Sequence, residues 1–333
     1  MARRAGVSQP TVSRALRNLP GASPETIARV RRAAQELAYI PSESGRALVL
    51  RRTGRIAVVS AELTNPYYPE LVEPLRRELA ARDLRTVLVA DSIEDTVPVE
   101  ALADGSYDGA ILTTTVRTSS LPRDLTERGV PHVLVNRILD RPESPSCAID
   151  NAAGAALVAS LMVELGHRRI ASIQGPITTS TGRERGEALR ISLKNKGIPL
   201  RRELTRRVPF GHDAGRRAAH ELLRGPSPPT AIACGNDVIA LGVLSAAREL
   251  GVAVPGELTV IGFDDISMAS WPFVDLTTIH CDLTQLATVA VTLLSDEMVA
   301  PRPPEIVRIQ PMLRLRGTHG PACTVSRSRA AFG

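Results

Sequence analysis

The chain has 333 residues, 43% of them apolar, four cysteines and a formal charge of +6. That length and apolar content allow two or three domains with sizeable cores and exclude bulk disorder. No apolar stretch approaches the roughly 20 residues of a membrane-spanning helix, and the N-terminal residues carry no apolar leader. Cys147, Cys234, Cys281 and Cys323 form no CxxC pair, so neither a disulfide framework nor a zinc site is expected. A reduced, cytoplasmic protein is the plain expectation.

The charge is unevenly placed. Residues 1–52 hold ten arginines and three glutamates, +7 in all, so residues 53–333 sum to about −1. One short basic segment on a near-neutral body is the electrostatic pattern of a polyanion-binding head.

The first predicted element lies in "AGVSQPTVSRAL" (5–16). Ser8 reads as an N-cap, whose hydroxyl accepts a first-turn amide. Pro10 is tolerated there because first-turn amides have no intrahelical partner. Val12, Ala15 and Leu16 share an apolar face, and Gln9, Thr11, Ser13, Arg14 and Arg17 point elsewhere. A second helix opens at Ser23 with Pro24 and Glu25 in its first turn. Ile27, Val30, Ala34 and Leu37 form its expected buried stripe, and Tyr39-Ile40-Pro41 stops it. Short basic helices joined by this turn point to a helix-turn-helix.

"AGVSQPTVSRAL", "VRRAAQELAYIP" and "GRALV" resemble the DNA-binding head of the LacI family of bacterial transcription regulators. The resemblance implies a helix-turn-helix domain over 1–41 with residues 8–17 as the recognition helix. Gln9, Pro10 and Arg14 would then face base edges in the major groove. Ser8, Thr11 and Ser13 would serve phosphates, which position without specifying. Arg14 has the geometry for guanine O6 and N7, and Gln9 for adenine; a phosphate contact is the alternative for Arg14. Residues 42–54 match the family's hinge helix and linker, with Leu48 as the minor-groove wedge; a plain linker leucine is the alternative for Leu48. Ser42 and Gly45 replace the family's asparagine and alanine, and the glycine costs about 1 kcal/mol of helix propensity. The family pattern has about eight residues before this point, and a valine where Met1 stands. Met1 is therefore expected to be a misassigned start, with the native chain longer.

Beyond residue 54, apolar runs such as "RIAVVSAEL", "RTVLVAD", "GAILTTTV", "HVLVNR", "RIASIQG", "AIACGND" and "LTVIGFDD" read as buried parallel strands. Helical patterns, "PELVEPLRRELAARD" and "AAGAALVASLMVELG" among them, separate the runs. Alternation of this kind gives an α/β fold with two doubly wound parallel sheets and ligands beyond the carboxyl ends of the strands. "LTNPYYPEL", "IDNAAGAALV", "LGHRRIASIQGP", "RERGEAL" and "DLTTI" continue the family resemblance in order. They imply a periplasmic-binding-protein-like body over 55–318 and a tail over 319–333. One lobe would hold about 55–154 and 282–308, the other about 155–281 and 309–318.

The resemblance places Tyr67, Tyr68, Arg185 and Asp264 at the ligand cleft, with Asn236 and Asp150 as weaker candidates. Alternatives stay open: a helix cap for Asp150 or for Asp237, a core role for one tyrosine, and a bare Arg185–Asp264 pair. "GHDAGRRAA" offers no cleft aromatic and "WPFVDLTTI" lacks the family's proline, so an atypical pocket is expected.

No HExxH, GxSxG, Walker A or GxGxxG pattern occurs. Asp264 and Asp265 are adjacent, and neighbours in a strand point to opposite faces, so they make no acid/base pair. No enzyme, metal or cofactor is expected. A solute-binding protein would need a signal peptide and no basic head. The expected function is a ligand-responsive repressor that binds a pseudo-palindromic operator in double-stranded DNA as a homodimer. A sugar or similar small metabolite would be its effector, and no membrane is involved.

Overall fold

Two units divide the chain, Met1–Thr53 and Gly54–Gly333. The computed structural model describes residues 1–16, 20–37, 39, 52–61, 63–90 and 97–323. The expected hinge helix, Leu48 included, lies outside the described residues, as does Arg17.

Among the described residues the first unit has the helices α1 (Ala2–Ala5), α2 (Gln9–Leu16) and α3 (Pro24–Glu36). Gly6 ends α1 at φ 64°, a left-handed position that glycine fills without a Cβ penalty. The Ser8 hydroxyl accepts the Thr11 amide at 3.4 Å, and Ser23 caps α3 by accepting Thr26 N–H at 3.3 Å. Ala5, Val12, Ala15, Val30 and Ala33 form the core, with Leu16, Ala22 and Ile27 packed on it. The buried stripe of α3 thus runs through Ala33. Leu37, expected inside, is the C-cap and is 50% exposed, because the helix ends before it turns inward.

Among the described residues the second unit has two parallel sheets. In the first, β1 (Arg55–Ser60), β2 (Arg85–Ala90), β3 (Gly109–Leu112), β4 (His132–Val135), β5 (Ser146–Ile149) and β11 (Ile306–Ile309) lie in the order β11-β5-β4-β3-β1-β2. In the second, β6 (Ile170–Gln174), β7 (Thr205–Arg207), β8 (Ala231–Cys234) and β9 (Thr259–Ile261) lie in the order β7-β6-β8-β9. A short antiparallel pair, β10 (Thr278–His280) and β12 (Met312–Arg314), completes the strands. The central strands are buried on both faces, which is why they read as unbroken apolar runs.

The connecting helices are α4 (Tyr67–Ala80), α5 (Val99–Ala103), α6 (Leu121–Glu127), α7 (Asn151–Glu164), α8 (Ser180–Asn195), α9 (His212–Arg224), α10 (Asp237–Glu249) and α11 (Leu283–Val299). The chain passes from the first sheet to the second through α7, returns between β10 and α11, and leaves again between β11 and β12. These passages make two lobes, and the carboxyl ends of β4, β8 and β9 lead into the residues between them.

Candidate functional site

The cleft is built from loop and helix-start residues. Asn65 accepts the Tyr67 amide at 3.2 Å, which fixes the entry to α4 and aims both tyrosines inward. Their rings meet edge to face, 5.5 Å apart and at 89°. The Tyr67 hydroxyl donates to Asn136 Oδ1 at 3.1 Å, just past the end of β4. Next to Asn136, the Arg137 guanidinium lies 5.6 Å from the Tyr68 ring and 5.7 Å from Phe210, a contact with both aromatic faces. Thr181, Arg185, Phe210, Asn236 and Asp264 close the opposite side, and the space among these residues, part of it open to solvent, is about 230 Å³.

Arg185 is the centre of this wall. It donates to Asn151 Oδ1 at 2.8 Å and to the Gly235 carbonyl at 2.7 Å, and its guanidinium carbon lies 3.7 Å from the Phe263 ring centre. One of its nitrogens approaches Asp264 Oδ1 to 2.9 Å. The contact is a buried ion pair, and among the described residues no donor is well aimed at Oδ1. Asp264 holds φ at 116°, a strained position for a non-glycine residue. Burial pushes its carboxyl up to about 6, against the pull of Arg185. Burial also opposes the Arg185 charge, yet Asp264 holds its pKa above the ordinary arginine value. Burial raises the Tyr67 hydroxyl well above its usual range, and the Asp264 charge adds to that. The cleft therefore presents three aromatic side chains, amide groups, the Arg137 cation and one buried charge pair.

Several sequence-derived residues have other partners. Asp150 does not line the cleft; it caps α7 by accepting Ala153 N–H at 2.9 Å. Asn236 lines the cleft and also caps α10, accepting Ile239 N–H at 2.9 Å. Asp237 is buried behind it, accepting the Thr278 hydroxyl at 2.5 Å and Ile266 N–H at 2.9 Å. Asp265 turns away from Asp264 to Arg316 and His280. Both residues hold positive φ, 116° and 58°, and lie outside the named strands, so strand alternation does not describe them. The lobe does supply an aromatic: Phe210 precedes Gly211, one residue upstream of the stretch judged to lack one. Asn136 and Arg137 were also missed; the strand run ending "VNR" was their only signal.

In the first unit, Ser8, just before α2, and Gln9, Pro10, Ser13 and Arg14 on it are exposed and Thr11 is half-buried, while Val12 and Ala15 face the core. The Ser8 and Thr11 hydroxyls lie 2.8 Å apart and share a hydrogen bond. Among the described residues no group of side chains could hold a metal ion, and no helix is long and apolar enough to cross a membrane.

A basic helix-turn-helix unit and a two-lobed α/β unit with a polar cleft define a ligand-binding transcription regulator. Comparison with known proteins gives the family. Residues 1–42 match "Bacterial regulatory proteins, lacI family", and residues 159–319 match "Periplasmic binding protein-like domain". The HTH-type transcriptional repressor PurR of Serratia proteamaculans is 31% identical over 320 residues, covering 94% of each chain. PurR of Photorhabdus laumondii is 31% identical over 308 residues, 91% of this chain and 90% of that one. A solved transcriptional regulator CelR–cellobiose complex is 29% identical, with a TM-score of 0.74 over 95% of this chain and 98% of the other. The lac repressor dimer bound to operator and the anti-inducer ONPF shares the fold, with a TM-score of 0.84 over 96% and 97% of the two chains at 24% identity. The chain belongs to the LacI family of bacterial regulatory proteins and is a ligand-responsive, DNA-binding repressor of that family, not an enzyme.

Proposed function

We propose that this repressor acts in the cytoplasm as a homodimer on a pseudo-palindromic operator and is controlled by a sugar or similar small metabolite in the cleft. The observation that carries the effector reading is the Arg185–Asp264 pair set among Tyr67, Tyr68 and Phe210. Aromatic faces pack against a sugar or base ring, and a buried charge pair selects hydroxyl or N–H donors. The CelR relative is a complex with cellobiose, which fits this chemistry.

On the DNA side, Gln9, Pro10 and Arg14 read base edges, Ser8, Thr11 and Ser13 hold phosphates, and Leu48 enters the minor groove. The exposed faces of Gln9, Pro10 and Arg14 on α2 support this division. For dimerisation the exposed apolar surface on the second lobe is the natural seat. Phe273 is 82% and Trp271 44% exposed, and with Leu241, Leu244 and Val274 they line one open groove.

The lobes touch directly around the cleft. Ser267 donates to Glu70 through both its amide, at 3.0 Å, and its hydroxyl, at 2.7 Å. Arg117 reaches the Ile177 carbonyl at 2.7 Å, and Ser180 accepts Ile138 N–H at 3.0 Å. A ligand that prefers one lobe angle shifts the population of closed chains, and DNA affinity follows through that difference.

Thermal melting against a panel of mono- and disaccharides and nucleobases tests the cleft. A binder at 100 times its Kd stabilises by about 2.7 kcal/mol, a rise of several degrees in Tm. The rise is expected to vanish in Asp264→Asn; an equal rise in that variant would place the effector elsewhere.

A further inference from the structure

We propose that Asn151 is a positioning residue that ties the charge pair of the cleft to strand β11 of the other lobe. The inference rests on the reading of the cleft as the effector site and adds a route out of it.

The route is continuous. Asp264 pairs with Arg185, and Arg185 Nε donates to Asn151 Oδ1 at 2.8 Å. Asn151 Nδ2 donates to Glu184 Oε2 at 2.9 Å. Glu184 accepts two bonds from Arg308, at 2.9 and 3.0 Å. Arg308 lies in β11, opposite Ala148 of β5, and also reaches the Ile149 carbonyl at 3.3 Å. Neighbouring positions on a helix point about 100° apart, so on α8 Arg185 turns into the cleft and Glu184 turns toward the first sheet.

Asn151 is the only residue of the route that bonds to both of these α8 side chains. It opens α7, at the first passage between the lobes, while β11 precedes the last. It is 1% exposed. Its amide has a single allowed orientation, because a guanidinium only donates and a carboxylate only accepts. A ligand group that takes Asp264 or Arg185 therefore loads the Nε–Asn151 bond. The amide cannot rotate to relieve that load without losing both partners. The displacement passes to Glu184 and through its two bonds to β11. Asparagine is suited to this place because it carries one donor end and one acceptor end on a short, rigid side chain.

Hydrogen–deuterium exchange of the full chain without any ligand tests the coupling, with Asp264→Asn standing in for a disturbed cleft. Asp264→Asn is expected to speed exchange at residues 306–309 at least fivefold in the parent chain. In the Asn151→Ala background the added change is expected to fall below twofold. A purely structural Asn151 would raise exchange generally and leave the increment from Asp264→Asn unchanged, which would overturn the proposal. So would an unchanged β11 in the parent carrying Asp264→Asn. Asn151→Asp keeps the acceptor for Arg185 and removes the donor to Glu184; it is expected to lose the increment too, and it serves if the alanine variant does not fold. No effector enters this test, so a negative result removes the route and leaves the cleft assignment standing, whereas the melting panel tests that assignment alone.

Discussion

The Arg185 guanidinium lies 2.9 Å from Asp264 Oδ1 and 3.7 Å over the Phe263 ring, and the two charged side chains are 4% and 6% exposed. Removing one partner leaves an uncompensated buried charge, at a cost of about 3–5 kcal/mol. Asp264→Ala is expected to lose that much in urea unfolding. The double variant Arg185→Met with Asp264→Ala is expected to recover a large part of it, since the stranded cation is gone. Additive losses in the double variant would mean that the pair does not act as one unit.

The same carboxyl gives a pH signature. Its folded-state pKa of about 6 lies above the ordinary aspartate value of 3.8. Between those values the folded chain holds a proton that the unfolded chain has released. Stability from Asp264 is therefore full below about pH 4 and is lost as pH rises through 6. Asp237, raised by burial, acts in the same direction. The unfolding free energy of the parent chain minus that of Asp264→Asn is expected to fall between pH 4 and pH 7 by up to about 3 kcal/mol. A flat difference across that window contradicts the assignment.

Arg14 is exposed at the last turn of α2. If it reads a guanine, Arg14→Ala weakens operator binding by about 1–3 kcal/mol and relaxes preference at one base position in each half-site. A phosphate contact would instead weaken all sequences alike and reduce the salt slope by about one. Binding-site selection on parent and variant separates the two.

Phe273→Glu puts a charge in the open apolar groove of the second lobe. Sedimentation velocity is expected to show the parent as a dimer and the variant as a monomer, with operator affinity down at least tenfold. A variant that remains a dimer would move the interface away from Trp271 and Phe273.

Legibility in the sequence followed burial. Strands covered on both faces, such as "IAVVS", "GAIL" and "AIAC", stand out as apolar runs. The edge strand β7, "TRR", half in solvent, and β11, carrying Arg308 into an ion pair, gave no such run. Strand β5, "SCAI", is fully buried but opens on a serine and follows a turn-rich stretch. The cleft was partly legible. Arg185, Asp264 and the tyrosine pair came from family motifs, while Phe210 and Arg137 come from loop positions that no periodicity marks. Asn151 was invisible in this role, because its meaning depends on Arg185, Glu184 and Arg308 meeting from three different elements.

Sequence-specific DNA binding by this chain is tested by selection from a random duplex library with the 333-residue protein. A pseudo-palindrome is expected whose half-sites sit about one helical turn apart, lost or broadened in Arg14→Ala. Recovery of no enriched sequence, with binding that only tracks total charge and salt, would contradict it.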